Sequence, residues 1–324
     1  MAQITRFCFR RALVGTDKRA AAGVWLTALA TAVIGTQAAS TTGLISFADH
    51  RFMATDLPIL AITTGGLLFG AGMVLTRGCI SRLTVLTGSG NLRALIVLLV
   101  FAATAHAALK GVLAPLRTTL GSVTLTLDTA TLPGNPAIWA ALIAALSLAF
   151  ALRSGNRART LALAALIGAL VPLAWVGTGY ILFDDFDPIA MESLSFTAPI
   201  AETLFFTVAS SAIPATFGTG LIGGTLIGAL TASLIRGQFL WQSFNSPRQT
   251  GRYLSGGALM GLGGVLAGGC TVGAGLSGIP TLSLAALLAI AAIALGASAT
   301  HRALNASWRG SAGSTTTPTP LPAE

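Results

Sequence analysis

Apolar residues run along this chain in long blocks, and polar residues are confined to the short stretches between them. The hydrocarbon core of a bilayer is about 30 Å thick, and roughly 20 helical residues cross it. The blocks approach that length, whereas a soluble amphipathic helix would show a one-sided stripe. The pattern therefore predicts eight spanning helices, at residues 22–46, 58–77, 92–113, 136–152, 160–182, 217–236, 251–268 and 279–300.

Three further apolar pieces, at residues 79–90, 197–213 and 270–278, are too short or too interrupted to cross. Backbone that leaves the helix at membrane depth is tolerated only where protein or a water-filled cavity covers it. We therefore expect re-entrant half-helices that line the middle of the bundle. The predicted fold is an all-α, polytopic membrane bundle of about eight or nine transmembrane helices.

The composition favours one membrane domain, with 53% hydrophobic and 9% charged residues. We expect a basic cytoplasmic segment at 1–21 and a single transmembrane domain at 22–305. Its half repeats are predicted at about 22–152 and 197–305. The Ser, Thr and Pro of residues 306–324 favour a disordered tail.

The net charge of +9 comes mainly from Arg and Lys in short connections and tails. Such cations mark the cytoplasmic side of a membrane protein, so we expect contact with the lipid bilayer of an inner membrane and none with nucleic acid. Both chain ends are predicted to be cytoplasmic. The connection that holds Asp184, Asp185, Asp187 and Glu192 fits the opposite face.

An internal repeat relates two parts of the chain. Gly65–Cys79 (GGLLFGAGMVLTRGC) and Gly256–Cys270 (GGALMGLGGVLAGGC) share nine of fifteen residues at an offset of 191. Under the predicted topology the two copies cross in opposite directions, so the repeat is inverted. Inverted repeats with glycine-interrupted segments point to a site near the midplane of a transporter.

The repeat ends in a Gly-Cys step, at Gly78–Cys79 and at Gly269–Cys270. Glycine lets a helix end, and the helix that follows presents unsatisfied N–H groups that suit an anion. A neutral thiol is a weak donor and a polarizable partner for a terminal sulfur atom. The two steps predict a constriction that passes a small sulfur-containing anion.

Charged residues near these steps are candidate lining groups. Arg77, Arg82 and Arg93 flank the first step, where a charge is costly unless it faces the interior or an aqueous mouth. Glu202 lies in a predicted half-helix and either lines the path, sits at its mouth or caps a helix. A bland alternative also stands: buried cysteines often fill space, and glycine-rich helices often serve close packing.

The sequence resembles the YeeE/YedE family of membrane proteins linked to sulfur transport. The resemblance covers nearly the whole chain and rests on both repeat copies, on TGSGNLRA after the first, and on ESLSFTAPIAETLFF from Glu192 to Phe206. It implies thiosulfate uptake in which cysteines hand the ion along, and a small sulfur-carrier partner of the TusA type. Cys79 and Cys270 match the family's Gly-Cys steps, and Cys8 corresponds to a further cysteine toward the cytoplasmic mouth.

The resulting expectation is a permease that conducts through Cys79, Cys270 and Cys8, with no catalytic residues, no cofactor and no metal. The resemblance does not fix the ion, since some relatives are associated with selenium. Two rival hypotheses remain: a membrane sulfurtransferase or redox sensor that forms a persulfide on Cys79, and a structural subunit with no pore.

Overall fold

The computed structural model of the chain describes residues 1–184, 186 and 189–311, and it is built almost entirely of helices. In chain order the α-helices are α1 (Ala2–Thr5), α2 (Phe9–Val14), α3 (Lys18–Thr41), α4 (Ile59–Leu75), α5 (Ile80–Gly88), α6 (Leu92–Lys110), α7 (Ala114–Gly121), α8 (Pro136–Leu152), α9 (Ala158–Val176), α10 (Thr197–Ala209), α11 (Phe217–Ile235), α12 (Pro247–Leu266) and α13 (Leu284–Ser311).

Short non-α elements connect these helices. A 3-10 turn at Arg51–Met53 follows α3, and π-helical turns form at Gly177–Ile181 and Thr271–Gly278. A second 3-10 turn, Ile279–Thr281, precedes α13. Strands β1 (Asp56–Leu57) and β2 (Leu125–Thr126) pair antiparallel, with Asp56 opposite Thr126.

The eight predicted spans correspond to α3, α4, α6, α8, α9, α11, α12 and α13. The three short pieces form α5, α10 and the π-helical turn Thr271–Gly278, so the all-α membrane bundle is confirmed. Within the described residues, seven stretches are long and apolar enough to cross a membrane. The eighth predicted span, α8, has 17 residues.

Two predicted regions fall partly or wholly outside the described part of the chain. Asp185 and Asp187 of the acidic connection are among the residues that the structure does not describe. The predicted tail begins at residue 306, but α13 continues as a helix to Ser311. Residues 312–324 lie outside the described residues.

Side-chain caps fix several helix starts. Asn91 accepts a hydrogen bond from the backbone N–H of Ala94 at 3.1 Å and so starts α6. Ser246 does the same for α12 through the N–H of Gln249 at 3.3 Å. Such caps satisfy backbone donors that have no partner inside the helix.

The helix α4 lies between α12 and α13, and it packs on α12 through glycines. A methyl group added at Gly72 would overlap with the carbonyl oxygen of Gly256, and one added at Gly65 would overlap with the backbone of Ala267. Small residues let two helix backbones approach this closely. We call the contact of Gly65 and Gly72 with Gly256 and Gly263 the glycine seam.

The glycine seam has a local two-fold character. Gly72 meets Gly256, and Gly65 meets Gly263, so the two helices run antiparallel. The offset of 191 relates Gly65 to Gly256 and Gly72 to Gly263. The repeat therefore exchanges one contact for the other, as a two-fold axis between antiparallel copies requires.

Candidate functional site

The first repeat copy breaks its helix between Leu75 and Ile80. At the end of α4, the N–H of Thr76 donates to the carbonyl of Gly72 at 3.0 Å. Arg77 then adopts a left-handed backbone conformation with φ 58°. Cys79 is extended, at φ −77° and ψ 162°, and α5 begins at the next residue.

The second copy repeats this backbone path. The N–H of Ala267 donates to the carbonyl of Gly263 at 2.9 Å, and Gly268 adopts φ 71°. Cys270 is extended, at φ −94° and ψ −175°, and the π-helical turn begins after it. Each of these positions lies 191 residues beyond its counterpart in the first copy. Both Gly-Cys steps therefore start a new half-helix at the cysteine, as the sequence predicted.

The three cysteines are all buried and unpaired by disulfide, with 2%, 1% and 0% exposure for Cys8, Cys79 and Cys270. The sulfur atoms of Cys8 and Cys79 lie 3.9 Å apart. The Cys79 sulfur is also 3.3 Å from the Ser81 hydroxyl. Cys79 thus has Cys8 as its thiol neighbour, and we call these two residues the thiol pair.

Cys270 has different surroundings. Its sulfur accepts a hydrogen bond from the backbone N–H of Gly273 at 3.4 Å, inside its own half-helix. Among the described residues, no hydrogen bond joins its sulfur to that of Cys79. A constriction that contains both Cys79 and Cys270 stays a prediction.

The glycines before the two cysteines differ in the room around them. A methyl group at Gly269 would lie 2.9 Å from the backbone nitrogen of Ala274, which cannot move without disturbing the half-helix. At Gly78 the first atom met would be the Leu83 Cδ2 at 3.3 Å, the end of a flexible side chain. Close packing explains glycine at 269 better than at 78.

Arginines surround the thiol pair. Arg77 and Arg82 are half-buried, and the charge of Arg82 acts on Cys8. Arg10 donates from Nη1 to the carbonyl oxygen of Arg77 at 3.3 Å. The sequence pattern indicated Arg77 and Arg82 but not Arg10, which precedes the first span. The sequence feature that could have indicated Arg10 is the run Arg6–Arg11, in which three apolar residues, 7–9, lie between arginines.

Cys270 faces a different set of charges, carried by the loop after α3 and the loop before α10. The positive charge of Arg51 interacts electrostatically with Glu192 and with Cys270. Burial raises the pKa of Glu192, the charge of Glu202 raises it further, and the charge of Arg51 opposes both. Sequence reasoning missed Arg51, although an arginine on the predicted outer face is a departure from the positive-inside rule.

His50 lies beside Arg51 in an aromatic setting. Its ring makes edge contacts with Phe47 and Trp175, and its Nδ1 accepts a hydrogen bond from the N–H of Phe52 at 3.2 Å. Burial lowers the pKa of His50 to about 4, and the charge of Arg51 contributes. The imidazole is therefore neutral at physiological pH.

The segment before α10 holds the second half-helix in place. Ser277 donates a hydrogen bond to the carbonyl of Leu194 at 2.7 Å. A methyl group on Gly273 would lie 2.7 Å from the Ser195 hydroxyl oxygen, so the two segments are in close contact. Glu202 follows on α10 and is half-buried. Within the described residues, no group of three or more His, Cys, Asp or Glu side chains could hold a metal ion.

Comparison with known proteins identifies the family. A family model described as sulphur transport matches residues 4–299. The chain belongs to the sulphur transport family. The matched range contains all three cysteines and both copies of the repeat, so the family resemblance read from the sequence is confirmed.

Two curated proteins are similar to this chain over most of their length. One is a protein named thiosulfate transporter TsuA from Spirochaeta thermophila, 28% identical over 243 residues, which are 69% of this chain and 72% of that protein. The other is a thiosulfate transporter TsuA from Escherichia coli, 25% identical over 279 residues, which are 78% of this chain and 75% of that protein.

Proposed function

We propose that this chain imports thiosulfate across the inner membrane and passes it along Cys270, Cys79 and Cys8. The names of the two relatives support thiosulfate as the ion. The observation that carries the proposal is the matched pair of helix breaks, each of which delivers a fully buried cysteine to the start of a half-helix. The N-terminal segment places Cys8 against the first of these breaks, with its sulfur atom 3.9 Å from that of Cys79.

Buried thiols suit transfer of an anion with a terminal sulfur atom, because sulfur is a polarizable partner. Each contact is weak, so the ion can leave one thiol for the next, whereas one strong site would trap it. Gly78 and Gly269 have no side chain, so an ion can approach the backbone beside the thiols. Arg77 and Arg82 attract negative charge. Glu202 would line the outer approach, where its charge interacts with that of Glu192.

Sidedness follows from the distribution of arginines. The thiol pair lies beside Arg10, Arg77 and Arg82, and the positive-inside rule places such a cluster on the cytoplasmic side. Cys270 and Arg51 would then face outward, and both chain ends would be cytoplasmic. A small sulfur carrier of the TusA type would collect sulfur at the cytoplasmic end. Transport needs no catalytic residue of this chain.

Uptake measurements test the proposal directly. The parent chain and its Cys79→Ala and Cys270→Ala variants would be expressed in a bacterium that cannot import thiosulfate or sulfate. We expect the parent to restore growth on thiosulfate and to take up labelled thiosulfate, and each variant to lose most of that uptake. Met73→Leu, a volume-conserving change at a buried α4 position, is the control for packing.

Parent-like uptake by both cysteine variants at equal membrane abundance would refute the assignment. The contact between Cys8 and Cys79 also makes the sulfurtransferase alternative testable. A thiolate of Cys79 would attack the terminal sulfur of thiosulfate, form a persulfide and release sulfite. Mass spectrometry that finds a sulfur adduct on Cys79, formed at the rate of uptake, would favour that alternative over conduction.

A further inference from the structure

Four arginines gather on the side of the bundle that holds the thiol pair: Arg10, Arg77, Arg82 and Arg252, which we call the arginine cluster. Their guanidinium groups lie close enough for like charges to act on one another. The positive charges of Arg77 and Arg82 repel that of Arg10, and the charge of Arg77 also repels that of Arg252. Each side chain is half-buried, so water screens this repulsion less than it would on an open surface.

Among the residues that the structure describes, no carboxylate forms a salt bridge with the cluster. The one salt bridge in the described part of the chain joins Arg11 to Asp17, outside it. The Nε atoms of Arg10 and Arg252 are buried and have no hydrogen-bond partner among the described residues. A buried charged donor without a partner is costly. The cluster is therefore a set of donors that an anion would satisfy.

Backbone strain at Arg77 points the same way. Arg77 adopts φ 58°, a conformation that suits glycine and is unfavourable for a residue with a side chain. The matched position in the second repeat copy is Gly268, at φ 71°. At the same left-handed backbone position, the first copy thus carries an arginine, which is strained there, and the second copy carries a glycine, which is not. Strain of this kind clusters at ligand sites.

We propose that the arginine cluster binds a doubly charged oxoanion beside Cys8 and grips its oxygen atoms. Guanidinium groups match oxoanions because their N–H donors form a planar fork. The proposal rests on the proposed function only for the identity of the transported ion. For thiosulfate it adds an orientation, with the oxygen end on the arginines and the terminal sulfur toward the thiol pair.

Sulfate is the probe that isolates this site, because it has oxygen atoms on every side and no terminal sulfur for a thiol. Calorimetric titration with sulfate would use the full chain in nanodiscs of zwitterionic phosphatidylcholine. We expect saturable sulfate binding by the parent and about tenfold weaker binding, or more, by Arg77→Gly. The glycine variant should fold well, since glycine adopts the backbone of residue 77 without strain.

Two controls complete the test. Arg252→Gln should also weaken sulfate binding, whereas Arg159→Gln, which removes an exposed arginine from the start of α9, should leave it unchanged. Equal sulfate affinity of the parent and Arg77→Gly, or no binding by the parent, would overturn the proposal. So would equal weakening by Arg159→Gln, because general charge would then explain the effect.

A lipid phosphate could supply the same oxoanion chemistry, and a second titration distinguishes it. In nanodiscs that contain phosphatidylglycerol, we expect the sulfate affinity to stay within about twofold. Loss of sulfate binding there would assign the arginine cluster to a lipid headgroup and refute a free oxoanion. Calorimetry requires no transport, so these results stand apart from uptake by the cysteine variants, which tests the proposed function.

Discussion

The two helix breaks follow the same backbone path but differ in nearly every polar side chain. At the first break stand Thr76, Arg77, Ser81 and Arg82, and the matched positions of the second carry Ala267, Gly268, Val272 and Gly273. Both breaks share the cysteine and two backbone hydrogen bonds that end the helix, from residues 76 and 77 in the first copy and from residues 267 and 268 in the second. The shared part delivers a thiol, and the divergent part decides what surrounds it.

The difference gives direction to an otherwise symmetric pair. The first break places its cysteine against Cys8 and among arginines, and the second leaves its cysteine within its own half-helix, facing the charge of Arg51. An anion that moves from the second break to the first would meet more positive charge as it advances. Two identical breaks could not produce that gradient.

Cross-linking should separate the two breaks most strongly. A mild thiol oxidant such as diamide should join Cys8 and Cys79, whose sulfur atoms are 3.9 Å apart, and leave Cys270 reduced. Because the bond fixes both thiols, we expect nearly complete and reductant-reversible loss of thiosulfate uptake. Mass spectrometry of the peptides identifies the bond. A Cys8–Cys270 or Cys79–Cys270 product at comparable yield would contradict the described pairing.

Acid should affect the Cys270 side through His50. The folded-state pKa of about 4 lies below the ordinary 6.5, so the folded protein takes up this proton later than the unfolded chain as pH falls. Stability from the neutral ring is complete above about pH 6.5 and is lost between pH 6.5 and 4, by at most about 3 kcal/mol.

Thermal unfolding in detergent at stepped pH measures this loss for the parent. His50→Asn keeps an acceptor for the N–H of Phe52 but cannot titrate, and His50→Phe loses both functions. Both variants should flatten the fall in unfolding temperature between pH 6.5 and 4. A parent-like acid response in both variants would assign the titration to another group.

The glycines of the two Gly-Cys steps should respond unequally to a methyl group. Gly269→Ala forces its new atom against the backbone of Ala274, whereas Gly78→Ala meets only the end of Leu83. We expect the first to cost about 2 kcal/mol and the second well under 1 kcal/mol. Unfolding temperatures of the two single variants give the comparison, and equal losses would show that the breaks are equally crowded.

Exchanging the residue types at the two left-handed positions, 77 and 268, should change stability least, and the two substitutions should change it in opposite directions. Arg77→Gly relieves the backbone and should stabilise the fold by about 1 kcal/mol, while Gly268→Arg should destabilise it by a similar amount or more. Uptake by Arg77→Gly should nevertheless fall. A variant that is more stable and equally active would remove any functional reason for the strain.

Local pattern predicted the elements of this molecule well. The length of the apolar runs predicted the spans and half-helices, and the repeat predicted that Cys79 and Cys270 stand at equivalent helix starts. Both inferences depend on residues close in sequence. The bounds differed by a few residues because helix ends depend on individual caps such as Asn91 and Ser246.

Contacts between distant segments could not be predicted in the same way. Nothing in the pattern around Cys8 specifies that it meets Cys79, since that contact depends on how Phe7 and Phe9 bury themselves against the bundle. Arg51 was missed because its relation to Cys270 arises only when the loop after α3 folds over the second half-helix. A constriction that contains both repeat cysteines was inferred from the repeat and stays a prediction, whereas the pairing of Cys79 with Cys8 depends on the N-terminal segment.

The glycine seam has a mechanical consequence. The backbones of α4 and α12 touch at two points seven residues apart, so these helices cannot slide past each other by less than a full turn without collision. The halves should therefore move as one block, which leaves rotamer changes at the arginines and thiols as the way to open and shut the route. Spin labels on the surfaces of α4 and α12 should report a constant separation with and without thiosulfate.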